Sequence, residues 1–146
     1  MRMDVRIRPH ALAGAVTPPP SKSMAHRLLL AAALADGVNT VKNVALSQDI
    51  EATLRCMAAL GASWERTDKS TLRVTGIGGK EKSFPELPRF DCGESGSTLR
   101  FLIPIALAVA GGGVFTGRGR LMERPQKPYF DLFDEKDISY EQTAGV

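Results

Sequence analysis

The chain has 146 residues, 43% of them hydrophobic and 24% charged, with a formal net charge of +3. That length is one domain's worth and buries roughly two-thirds of the unfolded surface. The charge is too small to mark a nucleic-acid-binding protein by itself, yet it is compatible with a locally basic cleft for small anions.

Residues 3–8 alternate apolar and charged side chains, the pattern of a short half-buried strand. The first ten residues have no apolar core of signal-peptide length, and the longest apolar run, residues 101–110, is too short to span a bilayer. Cys56 and Cys92 stand far apart without metal-ligand spacing. We therefore expect a soluble, cytoplasmic protein with no structural metal and no membrane partner.

Pro18, Pro19 and Pro20 form a stiff strut into a helix that Ser21 or Ser23 caps and Asp36-Gly37 ends. The first turns carry Lys22, Ser23 and Arg27. A helix N-terminus already presents unpaired N–H groups and about half a positive charge, so an ammonium, a hydroxyl and a guanidinium there suit an anion. Residues 38–44 alternate as a strand, and Ser47 caps a second helix over residues 49–60, with Ile50, Leu54, Met57 and Leu60 along one face. Asp49 and Glu51 lie in its first turn, where the dipole favours acids. Residues 63–67 and 71–75 read as a hairpin about Asp68-Lys69-Ser70. The loop 76–80 ends in Gly-Lys but is no P-loop, because Val74 and Glu81 occupy the positions of its first glycine and its hydroxyl residue.

Residues 80–90, with two prolines, read as a connector. The stretch Asp91-Cys92-Gly93-Glu94-Ser95-Gly96-Ser97-Thr98-Leu99-Arg100 then opens a third helix. Its glycines and hydroxyls suit a close backbone approach to a ligand and, equally, a tight packing turn. Pro104 lies in the apolar run and is expected to kink the helix or shift its start. A strand at 114–117, a basic loop at 118–124, a helix at 128–135 and a strand beginning at 138–141 complete the reading.

Residues 23–37 and 96–112 share a small-residue start, an Arg one turn in (Arg27 opposite Arg100) and an apolar run ending in Gly; residues 60–65 and 136–141 match further on. These are two units of an internal repeat. The first and third helices are apolar on nearly every face while the strands alternate, so the expected fold is α/β with the layers inverted: repeated βαβαββ units, helices buried and sheets outside.

PPPSKSMAHRLLLAAALADG, GESGSTLRFL and RLMERP, in this order and spacing, resemble the N-terminal portion of the 5-enolpyruvylshikimate-3-phosphate (EPSP) synthase family over essentially the whole chain. The resemblance implies transfer of the enolpyruvyl group of phosphoenolpyruvate to the 5-hydroxyl of shikimate 3-phosphate, with loss of phosphate and no cofactor. It also implies two globular domains, with residues 1–20 as a strand and crossover of the C-terminal one and residues 21–146 as the first and an incomplete second unit of the N-terminal one. By position, Lys22, Ser23 and Arg27 match residues that hold shikimate 3-phosphate. Lys22, Gly96 and Arg124 match the phosphoenolpyruvate site, which glyphosate probes as an inhibitor, and Lys22 is the candidate catalytic group. Glu94, Ser97 and Arg100 are weaker matches, since many members carry Asn and Thr where Glu94 and Ser97 stand. Beside an anionic ligand, Glu94 must pair with a cation, point away or bind through its backbone.

The family's further basic residues and its carboxylate base lie in a C-terminal remainder that this chain does not include, so the 146 residues alone are expected to be inactive. Two alternatives are a transferase acting on UDP-N-acetylglucosamine and a non-catalytic anion-binding half-enzyme. The former family carries Lys-Asn where Lys22-Ser23 stand, and many of its members have a loop cysteine in the region of residues 114–120. Nucleic acid is not an expected partner, because the 118–124 loop lacks interleaved aromatics.

Overall fold

A helix leaves four N–H groups unpaired at its start, and three serines answer this need along the chain. Ser21 caps α1 (Lys22–Leu34), Ser47 caps α2 (Gln48–Ala59) and Ser95 caps α3 (Gly96–Ala110). Each hydroxyl accepts from the backbone N–H three residues on, a bond worth about 1 kcal/mol. These elements come from a computed structural model that describes residues 3–78 and 83–143.

Strands β1 (Val38–Val41), β2 (Ser63–Arg66) and β3 (Leu72–Thr75) form an antiparallel sheet in the order β1-β3-β2, with Val41 and Arg66 both opposite Leu72. The expected hairpin is present; the Asp68 carboxylate accepts from Ser70 N at 2.7 Å in its turn. Strands β4 (Arg89–Asp91) and β5 (Val114–Thr116) pair in parallel around α3, and α4 (Lys127–Glu135) follows. A helix–strand–helix run recurs as α1-β1-α2 and α3-β5-α4, and among the described residues no strand precedes α1 or follows α4, so each expected βαβαββ unit is incomplete.

The helices form the core and the sheets wall it. Val41, Leu72 and Val74 point inward from the three-stranded sheet, whereas every residue of β2 is exposed. The most enclosed helix is α2, which the sequence presents as amphipathic: it meets α1, α3, β2 and β4, and Ile50, Leu54 and Met57 are 0% exposed. The strongly apolar α1 instead leaves Met24 and Leu28 at the surface, and Leu28, Ala31 and Ala35 line a groove along the outer edge of β1.

Four expectations are corrected. Residues 3–8 are exposed and belong to neither sheet; alternation makes a strand only where another strand supplies hydrogen-bond partners. The strand expected at 38–44 stops at Val41 because Asn43 takes a left-handed turn (φ 59°). The expected connector ends in β4, whose Phe90 is buried against Phe115 at 4.9 Å. Residues 138–141 form no strand: Asp137 reverses the chain (φ 52°) and Tyr140 stacks on Phe130 at 4.9 Å, folding this segment back onto α4. Residues 79–82 of the expected loop and connector, like residues 1, 2 and 144–146, lie outside the described residues. The fold also brings together the two cysteines, both buried free thiols. A hydrogen bond with Cys92, followed by burial, pushes the Cys56 thiol far up, so it stays protonated.

Helix α3 runs through Pro104 from Gly96 to Ala110. Proline has no N–H for the carbonyl four residues back, which belongs to Arg100. Tyr129 of α4 fills the vacancy, its hydroxyl donating to Arg100 O at 2.5 Å. We expect Tyr129→Phe to destabilise the fold by about 1 kcal/mol, and by less than half of that in a Pro104→Ala background, where the helix recovers its own donor. Urea denaturation of the four variants reads the coupling directly.

Candidate functional site

The first turns of α1, α2 and α3 meet, and Asp49 is where they do so. Its carboxylate receives Lys22 Nζ at 2.9 Å, and its backbone carbonyl receives Thr98 Oγ1 at 3.3 Å. One residue of α2 thus touches the starts of both other helices. Three N-terminal dipole ends so gathered repel one another and attract an anion; Asp49 offsets part of that charge while Lys22, 56% exposed, keeps its head in solvent. Sequence reading missed this role, taking Asp49 only as a dipole-favoured acid. The one signal available was an acid in the first turn of its helix, as Lys22 is in the first turn of its own.

Arg27 Nη1 donates to Ser23 O at 2.9 Å and also to Ser23 Oγ, while its guanidinium lies over the Phe101 ring, 4.9 Å from the centroid. Ser23 and Arg27 therefore form one polar turn on the exposed side of α1, steadied by an aromatic of α3.

Arg124 reaches the same end of the molecule from the loop after β5. Its Nη1 lies 2.7 Å from where a Cβ on Gly96 would stand, so the guanidinium rests on the bare backbone at the start of α3. Only glycine leaves that space. Glu94 turns its carboxylate toward Gly119, in the 3-10 turn Gly119–Leu121, with oxygens 2.7 and 2.9 Å from the Cβ position there; Gly119 also has φ +55°. The charge of Glu94 is thereby directed at the 118–124 loop.

Lys22, Ser23, Arg27, Gly96 and Arg124 are thus assembled around neighbouring helix ends. Ser97 is exposed in the first turn of α3. Arg100 faces a different neighbour: its Nε and Nη2 donate to Gln126 Oε1 and Pro125 O at 3.4 and 3.3 Å, tying α3 to the segment that carries Arg124. The site is an open face within this chain, since Lys22, Ser23, Arg27 and Arg124 are all exposed. The hollows beside β1 and on the outer face of the sheet near Trp64 lie away from it.

His26, one residue before Arg27, is 1% exposed, with Nδ1 2.8 Å from Thr53 Oγ1. Burial lowers its pKa from the ordinary value; Asp49 raises it, and Lys22 and Arg27 lower it further. No side-chain signal in the sequence separates this histidine from an ordinary core residue.

A family described as EPSP synthase (3-phosphoshikimate 1-carboxyvinyltransferase) has a sequence model that matches residues 7–145. The chain belongs to the EPSP synthase family. It is 44% identical to a 3-phosphoshikimate 1-carboxyvinyltransferase of Clostridium novyi, over 94% of this chain and 33% of that protein. With the protein of the same name from Clostridium beijerinckii it shares 46% identity, over 98% of this chain and 34% of that one. EPSP synthase from Acinetobacter baumannii superposes with a TM-score of 0.74 at 26% identity, over 89% of this chain and 29% of the other. The inverted α/β architecture is therefore part of the EPSP synthase fold, and the chain spans about a third of the length of the curated relatives it matches.

Because the folded state holds His26 below its unfolded pKa of about 6.5, the unfolded chain binds more protons as the solution turns acid. Its contribution to stability is present above pH 6.5 and is lost as pH falls through the depressed folded value. Urea midpoints from pH 8 to pH 5 are expected to fall with acidification, and His26→Asn is expected to flatten that part of the profile.

Proposed function

We propose that this chain supplies one face of an enolpyruvyl transferase site that moves the enolpyruvyl group of phosphoenolpyruvate to the 5-hydroxyl of shikimate 3-phosphate. The observation that carries the reading is Arg124 seated on Gly96, beside helix starts that hold Lys22, Ser23 and Arg27. Both substrates are polyanions, and bringing them together requires fixed cations and helix ends that offset their mutual repulsion.

In this reading the Ser23–Arg27 turn and Lys22 take shikimate 3-phosphate. Lys22, Arg124 and the backbone at Gly96 take phosphoenolpyruvate, where glyphosate competes. An ammonium has three N–H donors, so Lys22 can keep Asp49 and still reach a phosphate. Protonation of the enol carbon makes a cation-like centre for the 5-hydroxyl to attack with loss of its proton to a base; the tetrahedral adduct then expels phosphate as a base removes one methyl proton, which restores the double bond. Lys22 stabilises the leaving group or gives it a proton. The reaction so written calls for no cofactor.

The rest of the site comes from a C-terminal remainder, in line with the one-third coverage of the curated relatives, and the 146 residues alone turn nothing over. Residues 1–20 are assigned to the second domain, where the exposed Met3, Val5 and Ile7 would find strand partners, and residues 21–146 to the first. The two free thiols suit a cytoplasmic setting.

Phosphate release by the full-length protein supplied with both substrates tests this reading. Arg124→Ala is expected to lower kcat/KM for phosphoenolpyruvate about 10- to 100-fold, the equivalent of one charge-assisted hydrogen bond. Gly96→Ala, whose methyl displaces the guanidinium, is expected to raise KM for phosphoenolpyruvate and weaken glyphosate inhibition together. Wild-type protein that releases no phosphate would overturn the assignment.

A further inference from the structure

The reaction as written leaves one set of buried polar side chains without a task. His26 Nδ1 lies 2.8 Å from Thr53 Oγ1, Thr53 Oγ1 lies 2.8 Å from Thr98 Oγ1, and Thr98 Oγ1 lies 2.7 Å from Ser95 Oγ. None of the four residues is more than 3% exposed. The line starts in the second turn of α1, crosses the second turn of α2 and the first turn of α3, and ends on the residue that caps α3, since Ser95 Oγ also accepts from Thr98 N at 3.2 Å. Both threonine hydroxyls further reach Asp49 O at 3.3 Å.

A core built only for stability has no need of such a line. Polar groups buried in sequence must satisfy one another with the right geometry, and the loss of any one strands its neighbours. The contacts also constrain the helices differently from apolar packing. Leucines tolerate small slides along a helix axis, whereas hydrogen bonds near 2.8 Å fix how far the start of α1 stands from the start of α3. Those are the ends that carry Lys22, Ser23 and Arg27 on one side and Gly96, under Arg124, on the other. His26 Nε2 is buried with no hydrogen-bond partner. The ring is therefore held from the Nδ1 side, the side that meets Thr53.

We propose that His26 is a positioning residue. Acting through Thr53, Thr98 and Ser95, it sets the separation between the α1 turn that receives the phosphorylated acceptor and the α3 start that receives the enolpyruvyl donor. The role rests on the function proposed above, because the separation matters only if both ends serve one reaction. An asparagine amide can take the place of Nδ1 in the line, whereas a leucine cannot.

The test uses the full-length protein with His26→Leu, His26→Asn, the near-isosteric Thr53→Val, and the double variant His26→Leu/Thr53→Val. His26→Leu and Thr53→Val are each expected to weaken shikimate 3-phosphate binding about tenfold and to move the amide NMR signals of Ser95, Gly96 and Ser97. His26→Asn is expected to restore affinity to within threefold of wild type, and the double variant to be no weaker than the weaker single one. Thr53→Val with wild-type affinity and unmoved amides, a folded His26→Asn as weak as His26→Leu, or additive losses in the double variant would each overturn the proposal. Shifted Ser95–Ser97 amides in a protein whose wild type binds no shikimate 3-phosphate would instead remove the functional reading and leave the structural link standing.

Discussion

Like-signed helix ends do not gather unaided. Three positive N-terminal turns brought side by side, with lysine and arginine added, create a field that pushes the fold apart until an anion arrives. What holds them is the start of α2: the Asp49 side chain on Lys22, the Asp49 carbonyl on Thr98, and Thr53 between His26 and Thr98. The ion pair is partly exposed and contributes about 0.2–1 kcal/mol, so most of the cohesion comes from the apolar body of α2 below it. Ile50, Leu54 and Met57 bury the middle helix, and its first two turns then serve as the clamp.

This division of labour explains why the cations can stay exposed and ready. Apolar burial fixes the helix positions, hydroxyls fix the starts, and Lys22, Arg27 and Arg124 are left at the surface. Glu94 fits the same logic. Beside the anion site proposed above an acid would oppose binding; the Glu94 carboxylate is turned toward Gly119, against the loop that brings in Arg124.

Much of this was legible in residue order where the cause was local. Each serine cap is a three-residue event: Ser47 was anticipated as one and Ser21 beside Ser23 as another, whereas the helix behind Ser95 was expected without its cap being recognised. The repeat and the inverted layering were visible too, because apolar helices between alternating strands admit few other arrangements. Local pattern failed where pairing decides the outcome. Residues 3–8 alternate like a strand without a neighbouring strand in either sheet, and residues 138–141 gave way to the stacking of Tyr140 on Phe130. The short β4 escaped notice among prolines because its partner β5 lies beyond a whole helix. The Lys22–Asp49 pair spans 27 residues and the Thr53–Thr98 contact 45, distances at which no spacing rule operates.

The outer edge of β1 bears on how such a polypeptide behaves in a test tube. Among the described residues β1 is paired only with β3, and beside it runs the groove of Leu28, Ala31 and Ala35. Unpaired backbone next to apolar surface is the usual seed of chain-to-chain association. At high concentration these 146 residues on their own would stick to one another along that side, and their solubility would improve as soon as any strand, natural or supplied as a peptide, lay down there.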